Sequence, residues 1–231
     1  ISLQQIRCFY LLTSAVKKNR FPVEVVDCNR NGACHPMIYR KEVGMSQQVH
    51  LINSGEQSTP LCIEVLVAQL QSLDGSVRIK ARDTLIHIGK QASPAIIQLL
   101  AHQNEFVRWE ACKTLEHLRD PETARSLAQM LLDENMDVRW VAADALIELE
   151  QHAVVPVLEI IEEHFESAIV REAAHHVLHS LKEQQLADEI TDQVLEALKM
   201  SELPSKAAFI AEHALDYYRT HEVPKRPRHL V

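Results

Sequence analysis

Four arginines recur at nearly constant distance: Arg78, Arg108, Arg139 and Arg171, separated by 30, 31 and 32 residues. A guanidinium presents a rigid fork of donors that fits carboxylate or phosphate, so such a row can bind an anion or tie neighbouring segments together. Asp74, Asp137 and Glu166 lie a few residues away from members of the row. Pairing with inter-repeat carboxylates and helix ends is therefore the expected role, a structural ladder. Trp109 and Trp140, the two tryptophans of the chain, each follow a ladder arginine directly. Tryptophan is enriched at binding hot spots. Trp109, Glu110 and Trp140 are accordingly the expected centre of a protein-contact patch, extended by Glu159, Glu162 and Glu163. The competing expectation is that both indoles pack between repeats. Carboxylates around such a patch select a partner with a basic or mixed surface.

Other chemistry is thinly represented. His175 and His179 stand i, i+4 and could share a metal on one helical face, but no third ligand is placed near them. Cys28 and Cys34-His35 lack a second cysteine pair, so their spacing does not specify a zinc site. There is no phosphate-cradling glycine loop and no nucleophile motif. The expectation is no catalytic residue, no metal and no cofactor.

The elements that position these residues follow from an internal repeat. VRIKARDTLIHI from Val77, VRWEACKTLEHL from Val107, VRWVAADALIEL from Val138 and VREAAHHVLHSL from Val170 align without gaps. With each arginine as zero, alanine recurs at +3 (Ala81, Ala111, Ala142, Ala174) and leucine at +7 (Leu85, Leu115, Leu146, Leu178). An aliphatic residue follows at +10 (Ile88, Leu118, Leu149, Leu181). These offsets share one helical face. A degraded fifth copy, AAFIAEHALDYY, begins at Ala207. Between the copies a second helix opens at or near Pro60, Pro94, Pro121 and Pro156, where the missing N–H costs nothing. One helix pair cannot bury its own apolar stripe, so the pairs must stack.

This pattern, D/N-x-x-V-R-x-x-A-x-x-x-L-x-x-[IL] followed by a helix near proline, resembles HEAT repeats of the short, phycobilin-lyase-like type over about residues 60–218. The resemblance implies a mostly α fold, an α-solenoid of about five stacked helix pairs. It admits enzyme subunits, such as chromophore-lyase-like proteins, as readily as plain adaptors. Deoxyhypusine hydroxylases are similar solenoids that hold two irons on His-Glu pairs directly after the ladder arginine. Here those positions read Ile79-Lys80, Trp109-Glu110, Trp140-Val141 and Glu172-Ala173. One glutamate and no histidine remain, so that activity is not expected. Some alkylpurine DNA glycosylases are also built of HEAT-like repeats, but they need a basic channel.

Composition agrees. The 231 residues are 46% apolar with only 5 glycines, which fits a helical chain that seldom needs positive φ. The net charge of −8 disfavours nucleic acid as a partner, and no apolar run is long enough for a membrane span. Five cysteines, an odd number, suit a reducing cytoplasm. Residues 1–59 read as a separate α+β segment, with a helix over Leu3–Arg20 and strands FPVEVVDC and PMIYRKEV around a turn at Asn31-Gly32. VHLI from Val49 is a third apolar alternation, and residues 219–231 form a basic tail. The resulting expectation is a noncatalytic cytoplasmic scaffold that binds another protein through the solenoid surface.

Overall fold

The computed structural model describes residues 23–28, 34–39, 58–199 and 204–225. Strands β1 (Val23–Cys28) and β2 (Cys34–Tyr39) pair antiparallel, with Val23 opposite Tyr39 and Cys28 opposite Cys34. The second strand thus begins at Cys34, two residues before the expected Pro36. The expected helix over Leu3–Arg20, the turn at Asn31-Gly32 and the segment from Val49 lie outside the described residues.

Among the described residues ten helices follow: α1 (Ser58–Gln69), α2 (Gly75–Ile88), α3 (Ser93–Ile97), α4 (Glu105–Leu118), α5 (Ala124–Gln129), α6 (Met136–Glu148), α7 (Val154–His164), α8 (Ala168–Glu183), α9 (Glu189–Lys199) and α10 (Pro204–Tyr218). The even-numbered helices α2 to α8 carry the arginine motif and pack side by side in order, forming one layer of an α-solenoid. Odd-numbered helices α1 to α7 form the other layer. Two of these are short. Tight 3₁₀ turns flank α3 (Lys90–Ala92, Gln98–Ala101) and α5 (Pro121–Thr123, Met130–Leu132). Among the described residues no helix is long and apolar enough to cross a membrane.

The repeat arithmetic becomes packing directly. Ala81, Leu85, Ala111, Leu115, Ala142, Leu146, Ala174 and Leu178 are all fully buried between the layers. Alanine at +3 lets the helices approach closely, and leucine at +7 fills the space one turn further on.

Each motif helix starts the same way. Asp74, Asn104, Asn135 and Ser167, always four residues before the ladder arginine, cap α2, α4, α6 and α8. Their side chains accept from backbone N–H groups of Ser76 (2.8 Å), Phe106 (2.9 Å), Asp137 (2.8 Å) and Val170 (3.4 Å). These donors would otherwise lack partners at a helix N-terminus. The exits also repeat, because the chain turns through positive φ at Gly89, Arg119 and Glu150, each eleven residues after its arginine. Two of these three turns use a non-glycine residue, so scarcity of glycine did not mean scarcity of positive φ.

The last pair departs from this register. Helix α8 runs to Glu183, and its positive-φ exit falls at Gln185, fourteen residues after Arg171. Three added residues nearly complete an extra turn and shift the point where α9 starts. As a result α9 packs on α8, while α10 packs on α9 and back against α7. The degraded fifth copy, in α10, closes over the second layer. Tyr218 at the end of α10 donates to Asp188 Oδ1 (2.6 Å), which also accepts from Thr191 N (3.0 Å) in the first turn of α9.

Candidate protein-binding face

The ladder arginines reach backward, not outward. Arg78 Nη1 donates to the carbonyls of Ser72 (2.9 Å) and Leu73 (3.2 Å), and Arg108 Nη1 to those of His102 (2.9 Å) and Gln103 (3.1 Å). Arg139 repeats this on Asp133 (2.8 Å) and Glu134 (3.1 Å), and Arg171 reaches Phe165 (2.5 Å). The five-to-six-residue backward reach satisfies carbonyls left over at the end of the preceding segment.

Their carboxylate partners are not the ones nearest in sequence. Arg78 Nε pairs with Glu110 Oε1 (2.9 Å), and Arg82 Nη1 takes Glu110 Oε2 (2.6 Å). Arg108 grips Asp133 with two bonds, Nε to Oδ2 (2.6 Å) and Nη2 to Oδ1 (2.8 Å). Hydrogen bonding to Asp133 holds the Arg108 guanidinium even more firmly protonated than usual. Asp74, expected as an ion-pair partner, is an N-cap, and its hydrogen bonds with Ser76 hold its pKa below the ordinary carboxylate value.

Glu110 therefore needs correction as a contact residue. It is only 4% exposed and is consumed by Arg78 and Arg82 between α2 and α4. At +2 from the arginine, its side chain points at the neighbouring motif helix instead of the solvent face.

That solvent face lies at +1, +5 and +8. At +1 stand Ile79, Trp109, Trp140 and Glu172 on successive helices. Ile79 is 49% exposed and Trp140 44%, whereas Trp109 is half-buried and packed on the core. The two tryptophans occupy the same repeat position with unequal exposure. Trp140 meets His176 of α8 edge-on, with ring centroids 4.9 Å apart. At +5 and +8 the face carries Lys113, Asp144, His176 and Glu116, with Lys113 Nζ paired to Glu116 (2.8 Å). Crowding by the neighbouring helices raises the Asp144 carboxyl above its ordinary range, and Glu116 adds to the effect. These four flanking residues were missed in the sequence, although the offsets that place them were available.

Glu159, Glu162 and Glu163 sit on α7, in the other layer, and do not continue the Trp140 strip. Glu159 accepts from Arg125 Nη2 (2.7 Å) on α5, while Glu162 and Glu163 are exposed. His175 and His179 stack with centroids 5.7 Å apart. Among the described residues no three metal-capable side chains converge.

Comparison with known proteins decides what the repeats are. Residues 63–147, from α1 through α6, match the family model of HEAT repeats. That stretch carries HEAT repeats. Among curated proteins none matches it. Among solved structures it is similar to the complex of CpcE and CpcF of phycocyanin lyase from Nostoc sp. PCC7120, at 21% identity and a TM-score of 0.47, over 66% of this chain and 99% of that one. It is also similar to an engineered protein, at 20% identity and a TM-score of 0.37, over 68% of this chain and 79% of that one. Both likenesses are distant. The HEAT architecture rests on the chain's own helices and on the family match.

Proposed function

We propose that this HEAT-repeat chain is a noncatalytic scaffold that binds another protein along the solvent face of its motif helices, centred on Trp140. The supporting observation is the 44% exposure of Trp140 within an otherwise regular, well-packed repeat. A monomeric surface gains nothing from presenting an indole to water, whereas a partner that covers it gains aromatic contact area. Glu116 and Asp144 beside it, and Glu162 and Glu163 on the opposite layer, favour a partner of basic or mixed surface and speed encounter with it. Cys112 is a free, fully buried thiol, which fits a reducing compartment such as the cytoplasm.

The test is affinity purification from source cells, followed by binding measurements on the recovered protein with Trp140→Ala, Trp109→Ala and a Glu162→Gln/Glu163→Gln pair. Trp140→Ala should weaken binding by more than about 2 kcal/mol with helix content intact. Equal affinity of Trp140→Ala and wild type would place the interface elsewhere. A coloured preparation, or turnover of a chromophore, would favour a lyase subunit instead.

A further inference from the structure

The stretch from Gln151 to Thr220 holds thirteen acidic and five basic residues. Yet two of those five cations, Arg171 and Lys199, converge on one groove between α8 and α9. The groove measures 320 Å³ and is lined by Ala168, Arg171, Glu172, His175, Leu198 and Lys199. That is the lower end of the volume range of small-ligand sites.

Three features of the lining are unexplained by the fold. Arg171 is the ladder arginine whose one hydrogen bond among the described residues goes to a backbone carbonyl, so the rest of its fork is unspent. Lys199 has one exposed companion, Glu196, at 3.4 Å on its own helix. His175 Nε2 is buried and has no hydrogen-bond partner among the described residues. A buried ring nitrogen left bare costs free energy that a ligand oxygen would recover. Burial, helped by His179, Lys199 and His176, keeps this imidazole below its ordinary range and hence neutral near pH 7. In the Nε2–H tautomer it is a donor.

We propose that this groove binds a monoanionic carboxylate carried on a short apolar stem. The oxygens lie among Arg171, Lys199 and His175 Nε2–H, and the stem lies on Ala168 and Leu198. Charge selects the class. Arg171 and Lys199 are cations, Glu172 is an anion and His175 is neutral, which leaves one net positive charge in the lining, offset only in part by the solvent-screened Glu196 outside it. One carboxylate balances it, whereas a phosphate dianion would leave an excess negative charge beside Glu172.

The full chain is titrated with butyrate at constant ionic strength while the His175 ring is followed by NMR, with butyramide and inorganic phosphate as controls. Butyrate should perturb His175 saturably and move its titration upward, and the two controls should not. Lys199→Gln should weaken butyrate about threefold, and Glu172→Gln should tighten it about threefold, the range of exposed ion-pair terms. Tightening on loss of Glu172 is a response that a merely structural lining would not give. These two variants are preferred to Arg171→Gln, which also removes the Phe165 tie. A leucine-ended tripeptide, free or C-amidated, identifies the source: tighter binding than butyrate by the free form alone assigns the groove to a chain terminus, and weaker binding to a small free acid. Absence of a saturable His175 response to any carboxylate, or equal binding of the amides, overturns the proposal.

Discussion

If the arginine ladder holds adjacent HEAT repeats together, its members should differ in worth according to their partners, and Arg108 should be the most costly to remove. Its side chain is 8% exposed and makes two bonds to Asp133, itself 5% exposed, plus two to backbone carbonyls. Arg108→Ala strands the Asp133 carboxylate away from water, the situation in which breaking a buried pair costs about 3–5 kcal/mol. Arg139 has only the carbonyl bonds in a partly exposed position. Its removal should cost about 1 kcal/mol, near the usual net value of a hydrogen bond. The gap of about 2–4 kcal/mol is large against a total stability of about 5–15 kcal/mol. Urea unfolding followed by far-UV circular dichroism, with slopes compared as well as midpoints, measures both variants. The double variant Arg108→Ala/Asp133→Ala should be less damaged than the two single costs added together, because the orphaned charge is gone. Costs for Arg108→Ala and Arg139→Ala within about 0.5 kcal/mol of each other would refute the assigned role of Asp133.

Leu115→Ala and Leu146→Ala, both at fully buried positions, should each lower stability by about 2–5 kcal/mol in the same urea assay. Gln185 sits at positive φ, where its N–H donates to Lys182 O and that of Leu186 to Leu181 O, the bonding of a glycine-type helix end. Gln185→Gly should therefore raise stability by about 0.5–1 kcal/mol, seen as a higher melting temperature. Because His175 is held below the ordinary histidine value of 6.5, the unfolded chain binds more protons than the folded one between the two values. Stability should accordingly rise as pH increases through that window up to 6.5, and His175→Gln should flatten the slope of urea midpoint against pH. Tyr218→Phe removes the bond to Asp188 that ties α10 to α9 and should cost about 1–2 kcal/mol, with hydrogen exchange increasing first in these two helices.

The periodic part of the fold was legible because burial on a helix is a matter of angle. Offsets +3, +7 and +10 fix one face, and every alanine and leucine at +3 and +7 in the four motif helices is buried. What failed was anything that depends on the neighbouring helix instead of the same one. Asp137 follows the N-cap Asn135 in sequence, but the carboxylate that Arg108 meets is Asp133, in the turn before α6. Glu110 looked like a surface charge because its neighbour Trp109 suggested an outward face, yet one residue further round the helix lies the contact with α2. The strip around Trp140 was half legible. The tryptophan was found, while Lys113, Glu116, Asp144 and His176 differ in type from helix to helix and leave no repeat signal. The fate of α10 was hidden because its alanine-leucine spacing suits either layer, and the extra turn of α8 decides which layer receives it. The HEAT family match stops at residue 147, before that irregularity begins.

The repeat is not equivalent along its length, and the difference has a consistent direction. Arg78 and Arg108 each have a carboxylate from the following repeat, supplied by Glu110 and Asp133. The positions that would serve Arg139 in the same way do not supply one: Phe165 stands six residues before Arg171, where Asp133 stands six before Arg139, and Ala173 holds the place of Glu110. Arg171 likewise bonds only a backbone carbonyl, that of Phe165, among the described residues. A guanidinium without a carboxylate still anchors the turn through a carbonyl, so the architecture survives the loss, but its remaining donors are free to face something else. The same stretch carries the more exposed tryptophan, the His176 ring against it and the unpartnered His175 nitrogen. Helices α2 and α4 thus commit Arg78, Arg82, Arg108 and Glu110 to holding adjacent repeats together. On α6 and α8, by contrast, the ladder arginines Arg139 and Arg171 bond only backbone carbonyls. On physical grounds that is where a HEAT solenoid can bind without unfolding, because the groups that a ligand would recruit are not the ones that hold its repeats in register.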